Sequence, residues 1–271
     1  MTFRWDADQY LRFAQQRTQP SRDLCGRLPA DDGTVRRVLD IGCGPGNSTA
    51  QLRARYPHAT ILGIDSSPDM VASARELHSD CDFEVLDAGD LDRLGDDYDV
   101  VFSNACLQWV PDHAHVLPSM LRRLRPGGVA AAQFTENINL PPHVIMREVA
   151  QEPRWSRWMH DIRHYHHLGG SRFDVGAYYD LLTPLCAHVD VWETNYYHAL
   201  PGYGAVLDWY RGTGLRPYLA QLPDDDTRHA YEQEVLEHIR RVYPLRADGT
   251  VLIGFPRFFF LAHILPDKSV S

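Results

Sequence analysis

The sequence predicts an α/β fold: a mostly parallel, seven-stranded sheet with helices on both faces and a helical lid inserted between the last two strands. Three observations predict it. Between residues 36 and 135, short β-branched runs alternate with amphipathic segments. A glycine-rich turn, Gly42-Cys43-Gly44-Pro45-Gly46, directly follows the first of those runs. Two further β-rich runs, His188–His198 and Val251–Ile264, stand late in the chain and read as an antiparallel closing pair.

The elements follow in order. Tyr10, Phe13 and Arg17 lie three and four residues apart, on one face of an expected N-terminal helix. The first strand is Arg37–Ile41, and a helix opens near Asn47. The second strand, Thr60–Asp65, precedes Ser67-Pro68, a capping residue followed by a first-turn proline, so a helix begins at Pro68. Strands at Asp82–Asp87 and Tyr98–Ser103 come next, then a helix near His113. The Arg125-Pro126-Gly127-Gly128 turn stops that helix and reverses the chain into Val129–Phe134. Beyond Phe134 the alternation becomes irregular, with Pro141-Pro142 and an Arg/Trp/His-rich stretch at Arg154–His167. Between the two late runs, a helix starting near Asp224–Asp226 carries Tyr231, Val235, Ile239 and Val242 at helical spacing. The expected organisation is a single domain over 1–271, with a cofactor-binding core at 36–135. Segments 1–30 and 198–250 form a helical lid over an acceptor pocket.

Composition narrows the function. The chain has 271 residues, 44% hydrophobic and 23% charged, which is ordinary for a globular protein with a large core. A formal charge of −9 argues against a broad phosphate-binding surface, hence against nucleic acid or an anionic membrane as partner. The 5 cysteines never form a C-x-x-C pair, so neither a disulfide framework nor a thiolate metal site is expected. The N-terminus lacks the basic start and apolar run of a secretion signal, and no apolar stretch approaches membrane-spanning length. A cytoplasmic protein with no obligate protein partner is expected.

The chemistry concentrates at strand ends. Val38-Leu39-Asp40-Ile41 runs into Gly42, Gly44 and Gly46, with Asn47 opening the helix. Glycines let a ligand press against the backbone, as in dinucleotide sites. Here, however, the spacing is G-x-G-x-G, and Pro45 removes an N–H that a phosphate nest would want. Asp40 suits a ligand carrying a cationic amino group, such as S-adenosylmethionine. Asp65, followed by Ser66, ends the second strand, where a carboxylate accepts both ribose hydroxyls. Asp87-Ala88 follows the third strand and can meet an adenine edge. Asn104, Gln108 and Trp109 follow the fourth, at the edge where open α/β sheets bind ligands. A nicotinamide cofactor fits less well, because no second βαβαβ half follows the fifth strand.

In Leu39–Gly46, Gly63-Ile64-Asp65 and Leu124–Gly128 the chain resembles the class I S-adenosylmethionine-dependent methyltransferases, which implies a Rossmann-like fold, S-adenosyl-L-methionine as methyl donor and S-adenosyl-L-homocysteine as product. Outside the cofactor turn, a closer likeness extends to those members that esterify small polycarboxylic acids. It rests on Tyr10–Phe13, Leu107–His113, Met146–Ala150, Tyr196–His198, Thr213–Pro217, Tyr243–Leu245 and Phe255–Arg257. That likeness implies trans-aconitate as acceptor and its monomethyl ester as product. The Trp155–Ser171 stretch looks longer than the family pattern requires.

A carboxylate acceptor is coherent with this sequence. A carboxylic acid with a pKa of roughly 4 is ionised near neutrality, so no catalytic base is needed, and positioning suffices. The non-reacting carboxylates then require guanidinium partners. Candidates are Arg17, Arg147, Arg216 and Arg257, with Tyr10, Tyr196, Tyr197, His198 and Trp209 as further wall and hydrogen-bonding groups. Arg257 leads because it sits inside the apolar strand Phe255-Pro256-Arg257-Phe258-Phe259. A phenolic, alcoholic or amine acceptor would instead call for a base, His113 or His198. A binding protein that senses the cofactor without catalysis is the remaining alternative. His160, His164, His166 and His167 include an i, i+4 pair but no accompanying carboxylates, so no metal is expected.

Overall fold

In a computed structural model of the chain, residues 14–160, 162, 168 and 173–265 are described. Helix α1 (Ala14–Arg27) leads into an alternating series: β1 (Arg37–Ile41), α2 (Asn47–Arg55), β2 (Thr60–Asp65), α3 (Pro68–Leu77), β3 (Asp82–Val85), β4 (Tyr98–Asn104), α4 (His113–Arg122) and β5 (Leu124–Thr135). Helices α5 (Pro141–Gln151) and α6 (Val175–Leu182) precede β6 (His188–Leu200). Helices α7 (Gly202–Arg211), α8 (Arg216–Leu219) and α9 (Asp225–Val242) then lie between β6 and β7 (Val251–His263).

The strands form one 7-stranded sheet in the order β3-β2-β1-β4-β5-β7-β6. Five of them run parallel, from β3 across to β5, and β7 is antiparallel to β5. Ala187 N–H bonds His263 O, and Asn195 abuts Gly254, so β6 and β7 also run in opposite directions. The central strand β1 buries Val38, Leu39 and Ile41 completely, as expected of a strand covered on both faces. Chain order reverses between β1 and β4, which leaves a crevice at their carboxyl ends.

The chain divides into two compact units, Met1–Thr135 with His166–Thr194 and Arg257–Ser271, and Glu136–Tyr165 with Asn195–Pro256. In the first unit α1 buries Leu24 and packs against α2 and β5. The described part of the N-terminal segment thus belongs with the cofactor half, whereas 198–250, expected to act with it, falls in the second unit. The second unit is held by α5 against α9, where Met146, Val149, Tyr231, Val235 and Ile239 are buried. Tyr231 Oη donates to Met146 O at 2.7 Å across that contact. Helix α5 begins at the Pro141-Pro142 pair. Named in the sequence only as part of an irregular stretch, the pair occupies the first turn, where a missing N–H costs nothing. Among the described residues no helix is long and apolar enough to cross a membrane, and Cys25, Cys43, Cys81, Cys106 and Cys186 are all free.

Candidate functional site

The crevice at the switch point is a cleft enclosing about 920 Å³ of space free of protein atoms, part of it open to solvent. Gly42, Gly44, Asn47, Asp65, Ser66, Asp87, Ala88, Asn104 and Trp109 all line it. Four successive strand ends therefore contribute, in the manner the sequence suggests. The turn after β1 folds back because Gly42, Gly44 and Gly46 all take positive φ, at 71°, 56° and 94°. A Cβ on Gly42 would stand 2.2 Å from Cys106 Sγ, so only glycine lets this turn close on the segment after β4. At Gly44, by contrast, no atom lies within 4 Å of the Cβ position. A ligand can approach that backbone directly.

Asp65 fastens the turn from the neighbouring strand. Its Oδ2 accepts the Gly44 N–H at 3.0 Å and its Oδ1 the Ser67 N–H at 2.9 Å. Burial holds its carboxyl above the ordinary range, against those two bonds. Each oxygen keeps a further lone pair, which two vicinal hydroxyls can use. Asp87, exposed, caps the turn after β3 by accepting the Gly89 N–H at 2.8 Å. Met70, Leu86 and Val110 give the cleft apolar walls. Amides, carboxylates and apolar walls together fit a nucleoside with a charged tail.

Asp40 and Gln108 stand differently. Asp40 is fully buried beneath the glycine turn and is not among the groups lining the cleft. Its Oδ2 accepts from Ser48 Oγ and Thr49 Oγ1, each at 2.7 Å, tying β1 to the first turn of α2. Desolvation pushes its carboxyl up to about 6. Gln108 turns inward and donates to Ala105 O at 2.8 Å. Gly46 caps α2 rather than facing the ligand space. Asp40, expected from the sequence to meet a cationic amino group, has its Oδ2 held by the hydroxyls at positions 48 and 49, eight and nine residues onward in the first turn of α2. Ala105 and Cys106, absent from the sequence expectation, do line the cleft, and Ala105 takes φ 53° there. A strained non-glycine residue leaves no trace in composition or periodicity.

Comparison with known proteins sets this geometry among relatives. A trans-aconitate 2-methyltransferase of Rhodopseudomonas palustris is 45% identical over 95% of this chain and 98% of its own length. The chain belongs to the trans-aconitate 2-methyltransferase family. Another member, from Yersinia pestis, is 41% identical over 96% of this chain and 98% of its own length. A methyltransferase-domain model matches residues 38–128 of this family member, the span from β1 to the start of β5. It is a methyltransferase, and S-adenosylmethionine is its methyl donor. The Rossmann-like class I fold is shared with the YcgJ protein of Bacillus subtilis (TM-score 0.58, 15% identity, 92% of this chain and 99% of that one). It is shared also with Haemonchus contortus phosphoethanolamine N-methyltransferase 2 (TM-score 0.53, 17% identity, 92% of this chain and 52% of that one).

The groups that sequence offered for the acceptor fall into separate settings in this trans-aconitate 2-methyltransferase family member. In the first unit, Arg257 is buried on β7, opposite Thr135 of β5. In the second unit, Arg147 donates to Ile138 O at 2.6 Å, and Arg216 is half-buried at the start of α8. His198 packs its ring on Trp209 and Phe255, both 5.1 Å away. Tyr196 lies on the same face of β6 as His198, while Tyr197, 65% exposed, points the other way because successive strand residues alternate. Tyr10 lies outside the described residues, as do His164, His166 and His167, while Arg17 falls within α1. Among the described residues no cluster of His, Cys, Asp or Glu could hold a metal ion.

Proposed function

We propose that the chain transfers the methyl group of S-adenosylmethionine to a carboxylate oxygen of trans-aconitate, giving the monomethyl ester and S-adenosylhomocysteine. The near full-length likeness to relatives bearing that name carries the reading. In the proposed pose the ribose hydroxyls bond Asp65, the methionine carboxylate lies against the amino end of α2, and the adenine sits between Leu86, Asp87 and Val110. The bound donor supplies an electrophilic methyl carbon. The protein aligns the acceptor oxygen behind it and excludes water, since attacking anion and sulfonium neutralise each other as the bond forms.

The state of His113 supports an acceptor that needs no base. Its Nε2 lies 2.7 Å from Leu107 O and so donates, which leaves Nδ1 to accept from Tyr178 Oη at 2.6 Å. Tyr178 Oη in turn accepts the Leu168 N–H at 3.1 Å. Both nitrogens of this buried ring are committed to structure. Arg147, Arg216 and Arg257 are the guanidinium candidates for the non-reacting carboxylates. A cytoplasmic location agrees with five free thiols, which persist in a reducing compartment.

The test is a panel of small carboxylic acids, phenols and amines, incubated with S-adenosylmethionine and read by mass. We expect methyl transfer to trans-aconitate, with activity retained towards about pH 5, above the carboxylate pKa. Transfer to a phenol or amine alone, or loss of rate with an apparent pKa of about 6 to 7, would overturn it.

A further inference from the structure

The carboxyl end of β5 carries two buried side-chain oxygens that no hydrogen bond absorbs among the described residues. Gln133 is fully buried and Thr135 is 6% exposed. Gln133 Oε1 and Thr135 Oγ1 are buried without a hydrogen-bond partner among the described residues. Two such atoms on one strand face are expensive unless a ligand meets them. Strand register shows what stands beside them. Asn104 of β4 is the neighbour of Gln133, and Gln133 Nε2 donates to Asn104 Oδ1. Arg257 of β7 is directly opposite Thr135, and Phe259 is opposite Gln133. Residues opposite one another in a sheet share a face, as do alternate residues along a strand. Asn104, Gln133, Thr135 and Arg257 therefore form one continuous strip, which starts in the donor cleft, since Asn104 lines it, and ends at a buried guanidinium. Phe259, stacked on Trp192 at 5.0 Å, makes its apolar wall.

We propose that this strip is the subsite for a non-reacting carboxylate of the acceptor, with Thr135 and Gln133 as residues that determine specificity beside Arg257. This rests on the acid-methylating reading above. Arg257 supplies charge and Thr135 Oγ1 a neutral donor. Turning the Asn104 and Gln133 amides together keeps the bond between them and presents Gln133 Nε2, a donor, to the same anion. An anion here sits in a water-excluded place where charge-assisted bonds are strong. The strip's other end reaches the donor cleft, so an acid held by one carboxylate directs another towards the methyl group.

The experiment compares wild type with Thr135→Val, Thr135→Ser and Gln133→Met, using trans-aconitate and a dicarboxylic acid that lacks one of its carboxylates. Acceptor KM and kcat, calorimetric affinity for S-adenosylhomocysteine and Tm are recorded for each. Thr135→Val should raise KM for trans-aconitate about tenfold or more, as expected for a lost bond to a charged group. It should narrow the preference for trans-aconitate over the dicarboxylic acid and leave S-adenosylhomocysteine affinity unchanged. Thr135→Ser should restore wild-type values, and Gln133→Met should act in the same direction as Thr135→Val. Folded Thr135→Val and Gln133→Met enzymes with wild-type KM and preference overturn the proposal. If Thr135→Val fails to fold, Gln133→Met decides it by the same measures. A wild-type enzyme that methylates none of the acids brings down the acid-methylating reading, and this inference with it. Wild-type activity with unaffected variants brings down the inference alone.

Discussion

Individual residues of the glycine turn separate stability from ligand binding. Gly42→Ala must accept both a left-handed φ and a Cβ overlapping Cys106, so a loss of about 3 kcal/mol or more is expected from denaturant unfolding. Gly44→Ala meets open space and should cost only about 1 kcal/mol, yet its methyl group narrows the cleft. Its S-adenosylhomocysteine affinity should fall, in calorimetric titration, more than that of any folded Gly42→Ala protein. Asp40 makes a further residue-level prediction. Its carboxyl is held up to about 6 in the folded chain, whereas the unfolded chain ionises it near the ordinary value of about 3.9. Between those values the folded state retains a proton that the unfolded state has released. Its contribution is therefore neutral below about pH 4 and increasingly unfavourable as pH rises to about 6, on the order of 3 kcal/mol in all. Urea unfolding at several pH values should show this slope in the wild type, and Asp40→Asn should flatten it.

At the scale of elements, the pattern from β1 to β5 is legible in sequence because each strand is a short apolar run with its own punctuation. Ser67-Pro68 caps α3 through the Ser67 hydroxyl, and Asn47, Pro68 and His113 begin helices where expected. The ends of β1 and β2 fall where expected, whereas β3 stops at Val85, short of Asp87, and the Arg125–Gly128 segment expected as a turn lies within β5; Asp65, Asp87 and Asn104 nonetheless reach the cleft. Helix α5 was not legible, because a proline pair marks a helix start and a break alike. Buried polar partners were not legible either, since Gln133 and Asn104 meet only through sheet register. In the second unit, α7 and α9 are joined by Arg211, whose Nε and Nη2 bond both oxygens of buried Glu232 at 2.6 and 2.7 Å. Glu232→Ala leaves that guanidinium with Asp208 as its remaining carboxylate among the described residues. A loss of about 1–3 kcal/mol is expected, below that of a fully buried pair because Arg211 stays 34% exposed. Thermal unfolding against Arg211→Ala and the double variant would measure the coupling.

For the whole molecule, donor binding should act through the first unit. At 100 times its Kd, S-adenosylhomocysteine should stabilise the fold by about 2.7 kcal/mol and raise Tm accordingly. Slowed amide hydrogen exchange should concentrate in the segments 42–48, 65–70, 86–88 and 104–111, which contain the residues lining the cleft. Protection elsewhere without protection there would displace the donor from this crevice. The order of the strands bears on how the chain comes to be folded at all. β7, which follows the other strands of the described residues in the chain, enters the sheet between β5 and β6, not at its rim. A growing polypeptide halted before Val251 would present two unzipped strand borders at once, one of them the Val129–Thr135 run. During synthesis that half-made sheet is sticky until its final ribbon slides into place, so chaperone dependence should end abruptly once β7 leaves the ribosome.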